Sequence, residues 1–145
     1  MINDLYQETI LDHNKRPRNF RLLDDANLQA EGYNPLCGDK CKVFLKENKG
    51  VLEEVTFQGA GCAISTASAS LMTETLKGKT IAEAEALLAK FHDLLTTDQP
   101  LPTDLGKLAV FSGVREFPAR VKCATLAWHT LRAALRGTGE AVSTK

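Results

Sequence analysis

The sequence has no net charge, because its eighteen basic residues are balanced by eighteen acidic ones. No general electrostatic field therefore attracts nucleic acid or a membrane surface to the protein. The densest basic cluster, residues 15–18, carries only three positive charges and fits the solvated end of a helix. We expect neither nucleic acid nor a membrane among the partners.

The sequence also lacks an export signal and a long apolar run. The N-terminal residues MINDLYQETI contain neither the basic region nor the apolar region of a signal peptide. No apolar run approaches the roughly 18 residues that a membrane-spanning helix needs. We therefore expect a soluble cytoplasmic protein, whose cysteines stay reduced and can serve as ligands or nucleophiles.

The tightly paired cysteine spacings of zinc fingers and zinc ribbons are missing as well. The four cysteines stand at positions 37, 41, 62 and 123, so the first two are separated by three residues and the others stand alone. The serines at 65, 68 and 70 lie in no G-x-S-x-G motif, and helix packing is their expected role. Spacing alone therefore predicts no particular metal or reaction.

The hydrophobic pattern predicts one domain, residues 1–145, with strands early in the chain and helices later. The turn at 48–50 joins two of the strands, and a capping box at Thr80 and Glu83 opens one helix. This order indicates an α+β fold with a helical layer on one face of the sheet. A disordered tail is expected from about residue 137. The remaining predicted elements are strands at 28–34, 42–46 and 51–58 and helices at 2–15, 62–76, 108–114 and 118–136.

Four candidate ligand residues lie at junctions between predicted elements, where they can converge at one end of a small domain. Cys37 and Asp39 lie in a turn, Cys62 follows a glycine-rich break at a helix start, and Cys123 lies in the first turns of the last helix. Three thiolates and one carboxylate can complete a tetrahedral zinc site or hold iron. The alternative is that each cysteine is simply a small core residue.

Three motifs in a fixed order resemble the iron–sulfur cluster assembly scaffold family. They are NPLCGD (34–39), GAGCAISTAS (59–68) and FPARVKCA (117–124), and the resemblance extends from Leu5 to Trp128. The family's fold is a three-stranded antiparallel sheet packed against a layer of helices. That fold agrees with the α+β arrangement that the hydrophobic pattern predicts.

Two features of the sequence resemble the SufU-like branch of this family rather than the IscU-like branch. The stretch between Cys62 and Cys123 is longer than in IscU-like proteins. In addition, Lys122 stands where IscU-like proteins carry a histidine immediately before the third cysteine. The histidine ligand of that branch is therefore absent.

The resemblance implies that Cys37, Asp39, Cys62 and Cys123 bind zinc at one end of the domain. It also implies a SufS-like cysteine desulfurase as the partner that delivers persulfide sulfur, with Cys37 as the sulfurtransferase-like acceptor thiol. A histidine of the desulfurase would take the zinc position that Cys37 leaves. It further implies downstream iron–sulfur assembly or acceptor proteins as partners. Arg120, three residues before Cys123, is a candidate for stabilising thiolate or persulfide charge.

Cys41 departs from the family pattern, which has no cysteine at that position. If the alternation of a strand already holds there, Cys41 shares a face with Cys37 and Asp39. Cys41 would then be an alternative ligand or a resolving thiol for a persulfide on Cys37. The alternative interpretation is a strand residue without a chemical role.

Two other functions remain open from the sequence. The first is a scaffold that assembles a transient [2Fe–2S] cluster on the same ligands and transfers it. The second is a structural zinc module that serves only as a binding adaptor, although a structural site is usually closed and built from thiolates and histidines.

Overall fold

A computed structural model describes residues 4–34, 38–96, 108, 111, 114, 117–136 and 142–143. These residues form four helices and four strands. In chain order they are α1 (Asp4–Lys15), β1 (Leu28–Asn34), β2 (Asp39–Asn48), β3 (Val51–Ala60), α2 (Ala63–Leu76), α3 (Ile81–Thr96), α4 (Pro118–Arg136) and β4 (Val142–Ser143).

The sheet has the strand order β3-β2-β1-β4. The first three strands in the chain are antiparallel, and a two-residue turn, Lys49 and Gly50, connects β2 to β3. Both turn residues have positive φ angles, 54° and 82°, which is typical of the tight hairpin turns that match the twist of the strands. The predicted three-stranded antiparallel sheet is confirmed, and β4 adds a short parallel strand beside β1.

One face of the sheet is covered by α2 and α4. Side chains alternate over the first five residues of β2, and Asp39, Cys41 and Val43 all lie on the buried side. On β1, Gly32 allows α4 to approach closely, because a Cβ atom there would overlap Oγ1 of Thr130. The close contact between α4 and β1 places Cys123, near the start of α4, beside Asn34 at the end of β1.

The serines of α2 are buried in helix packing, as predicted. Two of them also form hydrogen bonds to other elements. The Ser68 hydroxyl accepts a hydrogen bond of 3.2 Å from the indole N–H of Trp128 on α4. The Ser70 hydroxyl accepts the backbone N–H of Arg18 at 2.8 Å and lies 2.7 Å from Nδ1 of His13 on α1. These bonds connect the middle of α2 to α4 on one side and to α1 on the other.

Most predicted helix and strand boundaries agree with the structure. The exceptions are the two strands joined by the turn at 48–50, which are longer than predicted. β2 begins at Asp39 rather than at residue 42, and β3 continues through Gly59 and Ala60, which we had interpreted as a break. The two extensions pair with each other, since Lys40 lies opposite Ala60. Asp39 pairs with Asn34 of β1, so it is a strand residue rather than a turn residue.

Two other predictions concern parts of the chain that are only partly described. The helix predicted at 108–114 falls mostly outside the described residues, although Leu108, Phe111 and Val114 are buried in the core. The predicted disordered tail also falls mostly outside them, and the described pair Val142–Ser143 forms β4. Among the helices in the described ranges, none combines the length and apolar character needed to cross a membrane.

Candidate metal site

Three potential metal ligands converge at one end of the sheet. The carboxylate of Asp39 and the sulfurs of Cys62 and Cys123 place one ligand atom each within 4.8 Å of the others. Asp39 begins β2, Cys62 immediately precedes α2, and Cys123 lies in the second turn of α4. Three of the four ligands predicted from the sequence are therefore close together although they are far apart in the chain.

Asp39 is buried and is held by the backbone of the residue that supplies the next ligand. Its Oδ1 atom accepts the Cys62 N–H at 2.9 Å, and its Oδ2 atom lies 3.9 Å from the Cys62 sulfur. Gly61 makes this arrangement possible, because a Cβ atom at that position would lie 2.6 Å from Oδ1 of Asp39. The glycine therefore has a steric function at the site.

Cys62 is the N-cap of α2 and is exposed. Its sulfur accepts a hydrogen bond of 3.4 Å from the backbone N–H of Ser65, one of the donors that a helix start leaves unpaired. Such donors and the helix dipole favour negative charge nearby. Cys62 is therefore a potential ligand that a metal or a partner protein can reach from solvent.

Cys123 is buried, and a side chain of the sheet contacts its sulfur. The amide nitrogen of Asn34, at the end of β1, lies 3.8 Å from Sγ of Cys123 and is in position to donate to it. Asn34 itself has no exposed surface. The sulfur of Cys123 is thus reached by a donor from the strand that leads into the NPLCGD motif.

The donor set fits zinc. In a tetrahedral zinc site the metal–sulfur distance is about 2.3 Å and the metal–oxygen distance about 2.0–2.2 Å, which separates neighbouring ligand atoms by about 3.5–3.8 Å. The Cys62–Asp39 separation of 3.9 Å is close to that range, and no pair exceeds 4.8 Å. Adjustments of about 1 Å would bring the three atoms to tetrahedral spacing.

Cys37, the predicted fourth ligand and acceptor thiol, lies outside the described residues. The residues that flank its segment are both at this end of the sheet. The Gly38 N–H donates to the carbonyl of Asn34 at 2.8 Å, and Gly38 has a φ of 72°, which favours glycine. The ends of the segment that contains Cys37 are thus held together beside Asp39.

Cys41 shares the buried face of β2 with Asp39, as the strand alternation predicts. It does not belong to the group formed by Asp39, Cys62 and Cys123 among the described residues. Burial raises the pKa of the Cys41 thiol from its ordinary value of 9.0 to about 12. These observations favour the interpretation as a strand residue without a chemical role.

Arg120 lies exposed in the first turn of α4. Its guanidinium carbon is 5.9 Å from the ring centre of Phe117, which is half exposed. The predicted role of Arg120 in stabilising thiolate or persulfide charge stays a prediction.

The family of NifU-like N-terminal domains matches residues 5–124 of the chain. The chain belongs to this family. The match includes all four predicted ligands and confirms the resemblance seen in the three motifs.

Members of the NifU-like family with curated descriptions align along most of their length. The chain is 40% identical to the zinc-dependent sulfurtransferase SufU of Bacillus subtilis over 90% of this chain and 88% of the relative. It is 38% identical to the iron–sulfur cluster assembly scaffold protein IscU of Streptococcus pyogenes over 97% of this chain and 88% of the relative. The SufU-like branch predicted from the sequence is consistent with these two relatives.

A solved structure of the NifU-like family supports the fold as well. The crystal structure of FiSufU from Fervidobacterium islandicum superimposes with a TM-score of 0.83 at 32% identity, covering 88% of this chain and 94% of that one. The α+β fold predicted from the sequence is confirmed.

Sequence reasoning identified the candidate ligands but did not identify the residues that position them. Asn34 and Gly61 lie within the quoted motifs, yet neither was assigned a function at the site. Their functions depend on distances between segments that are far apart in the chain, from Asn34 to Cys123 and from Gly61 to Asp39. The sequence hints at these functions only through position, because Asn34 begins the motif that contains Cys37 and Gly61 directly precedes Cys62.

Proposed function

We propose that this protein is a zinc-bound sulfur acceptor in iron–sulfur cluster assembly, which receives persulfide sulfur from a cysteine desulfurase on Cys37. The observation that supports the proposal most strongly is the convergence of Asp39, Cys62 and Cys123 at the end of the sheet where the segment with Cys37 begins and ends. The similarity to a zinc-dependent sulfurtransferase supports it further.

Zinc bound by Cys37, Asp39, Cys62 and Cys123 would keep the sulfurs deprotonated at neutral pH. The carboxylate of Asp39 is a harder ligand than a thiolate, so this site is easier to remodel than one made of four thiolates. The exposed position of Cys62 leaves one side of the site open to solvent. A partner protein can therefore approach the site without unfolding the domain.

The proposed transfer is an exchange between a thiolate and a persulfide. The Cys37 thiolate attacks the terminal sulfur of the desulfurase persulfide, and a new sulfur–sulfur bond forms on Cys37. The bond between the terminal sulfur and the desulfurase cysteine breaks, and that cysteine leaves as a thiolate. One sulfur atom moves and the number of sulfur–sulfur bonds is unchanged, so the step needs no external oxidant or reductant.

The rate of the desulfurase tests this function directly. Zinc-loaded protein should increase the rate at which a SufS-like cysteine desulfurase releases alanine from cysteine, because the acceptor removes the enzyme's persulfide. Cys37→Ser should abolish the increase. The matched control is Cys41→Ser at the buried cysteine, which should retain it. An unchanged alanine rate with the wild-type protein would refute the proposal.

A second candidate function is a scaffold that assembles a [2Fe–2S] cluster on the same residues and hands it on. The similarity to proteins described as iron–sulfur cluster assembly scaffolds favours it, and thiolates with one carboxylate also suit iron. Lys122, in place of the histidine of IscU-like proteins, favours the zinc-bound acceptor.

Metal analysis and reconstitution separate the two functions. Protein purified without added metal should contain about one zinc per chain if the acceptor function is correct. Anaerobic incubation with iron and sulfide should then produce little visible absorption. A cluster that forms without displacing zinc and moves rapidly to an apo-ferredoxin would establish the scaffold function instead.

A further inference from the structure

Asn34 connects two parts of the candidate metal site through different atoms. Its side-chain nitrogen lies 3.8 Å from Sγ of Cys123, and its carbonyl accepts the Gly38 N–H at 2.8 Å. Asn34 also pairs with Asp39 in the antiparallel register of β1 and β2. One fully buried residue thus adjoins a ligand on α4, a ligand on β2 and the ends of the segment that contains Cys37.

The need for such a residue follows from the different positions of the two described cysteines. Cys62 caps a helix, so its sulfur receives an otherwise unpaired backbone donor, the N–H of Ser65 at 3.4 Å. Cys123 is the sixth residue of α4. Only the first four N–H groups of a helix lack partners within it, so the N–H groups of α4 around Cys123 are used within the helix. A side-chain donor from another element can fill that place.

Burial makes the side-chain donor more significant. Cys123 is buried, and a buried thiolate without a donor is costly in free energy. A hydrogen bond from a neutral amide to a charged acceptor contributes more than one between two neutral groups. The amide also limits where the sulfur can lie, because Asn34 is fixed by its strand pairing and by the Gly38 bond.

We propose that Asn34 is a positioning residue of the metal site, which orients the Cys123 sulfur beside Asp39 and the described residues that flank Cys37. This inference rests on the proposed metal-bound function. The N–H donor withdraws electron density from the Cys123 sulfur. The sulfur can still bind a metal, but it is a poorer nucleophile than it would be without the hydrogen bond.

Cobalt(II) provides a spectroscopic test, because its thiolate complexes absorb in the near ultraviolet. In Asn34→Leu and Asn34→Ala the sulfur-to-cobalt band should move to lower energy, since the sulfur loses the donor that Asn34 supplies. Cobalt affinity should fall about tenfold to a hundredfold, the usual effect of losing a residue that orients a ligand. Circular dichroism establishes that each variant is folded.

The control is Asn27→Ala, at an exposed position. The Asn27 side chain also donates a hydrogen bond, to the carbonyl of Glu47 at 2.7 Å, but at the opposite end of the sheet. This variant should leave the cobalt band and affinity unchanged. An equal effect at both positions would show that loss of stability, rather than contact with Cys123, causes the change, and would overturn the inference.

A measurement on the wild-type chain does not depend on whether variants fold. In protein loaded with NMR-active cadmium, the Asn34 side-chain amide protons should couple to the metal through the Cys123 sulfur. Absence of this coupling, with the metal bound, would overturn the inference and leave the proposed function intact. Failure of the wild-type chain to bind cobalt or cadmium would overturn both.

Discussion

Replacing Gly61 with alanine should weaken metal binding, because the added methyl group would displace the carboxylate of Asp39 by steric overlap. A Cβ atom at this position would lie 2.6 Å from Oδ1 of Asp39, whereas ordinary contact begins at 3.4 Å, so the carboxylate must retreat by about 0.8 Å. Such a retreat breaks the 2.9 Å bond from the Cys62 N–H. A hydrogen bond to a charged group contributes about 1.5–3 kcal/mol.

That loss corresponds to metal affinity weakened about tenfold to a hundredfold, because each 1.4 kcal/mol is about a factor of ten. Competition with a chromophoric zinc chelator measures it. The control is Gly78→Ala, where φ is 85° and a Cβ would meet nothing within 4 Å. That variant should lose stability through backbone strain and keep its zinc affinity.

A double-mutant cycle separates the steric effect on Asp39 from other causes. In an Asp39→Ala background the obstructing carboxylate is gone, so Gly61→Ala should have little further effect on zinc affinity. Equal losses in the wild-type and Asp39→Ala backgrounds would refute the reasoning. Wild-type affinity in the single variant would refute it as well.

Two further predictions concern the protein away from the ligands. Because the folded state raises the Cys41 pKa from 9.0 to about 12, the unfolded chain loses this proton first as the pH rises. The free energy of unfolding should therefore fall by about 1.4 kcal/mol per pH unit between those values. Urea titrations at several pH values should show a shallower decline for Cys41→Ala. Identical slopes of unfolding free energy against pH in the two proteins would contradict this. Ser68→Ala should cost about 1–3 kcal/mol, because the Trp128 indole N–H loses its acceptor. Thr96→Ala, at an exposed position, is the control and should change stability by about 0.5 kcal/mol or less.

The parts of the fold that were predictable are those with strong local signals. Proline at the first position and continuous helical periodicity define α4 from Pro118 to Arg136, and β1 agrees at both ends. The capping box is also present, since Thr80 and Glu83 exchange side-chain and backbone hydrogen bonds of 3.1 Å.

The strand extensions were not predictable from local signals, because glycine and aspartate favour turns. Gly59 lies in a strand because β2 and β3 continue to pair beyond the hydrophobic part of the hairpin, and Asp39 lies in a strand because it pairs with Asn34 of β1. The same limit applies to the site. Ligand chemistry identified Cys62, Cys123 and Asp39, whereas the contacts of Asn34 and Gly61 follow from how the helices pack on the sheet.

The most direct test of the central claim is to locate the transferred sulfur after a single turnover. Zinc-loaded protein is mixed with a cysteine desulfurase that carries one persulfide, free thiols are trapped by alkylation, and the peptides are separated by mass spectrometry. The sulfur-acceptor function predicts one additional sulfur atom on the peptide that contains Cys37 and none on those containing Cys62 or Cys123. Additional sulfur on Cys62 or Cys123 with none on Cys37, or on no peptide of this chain, would contradict it.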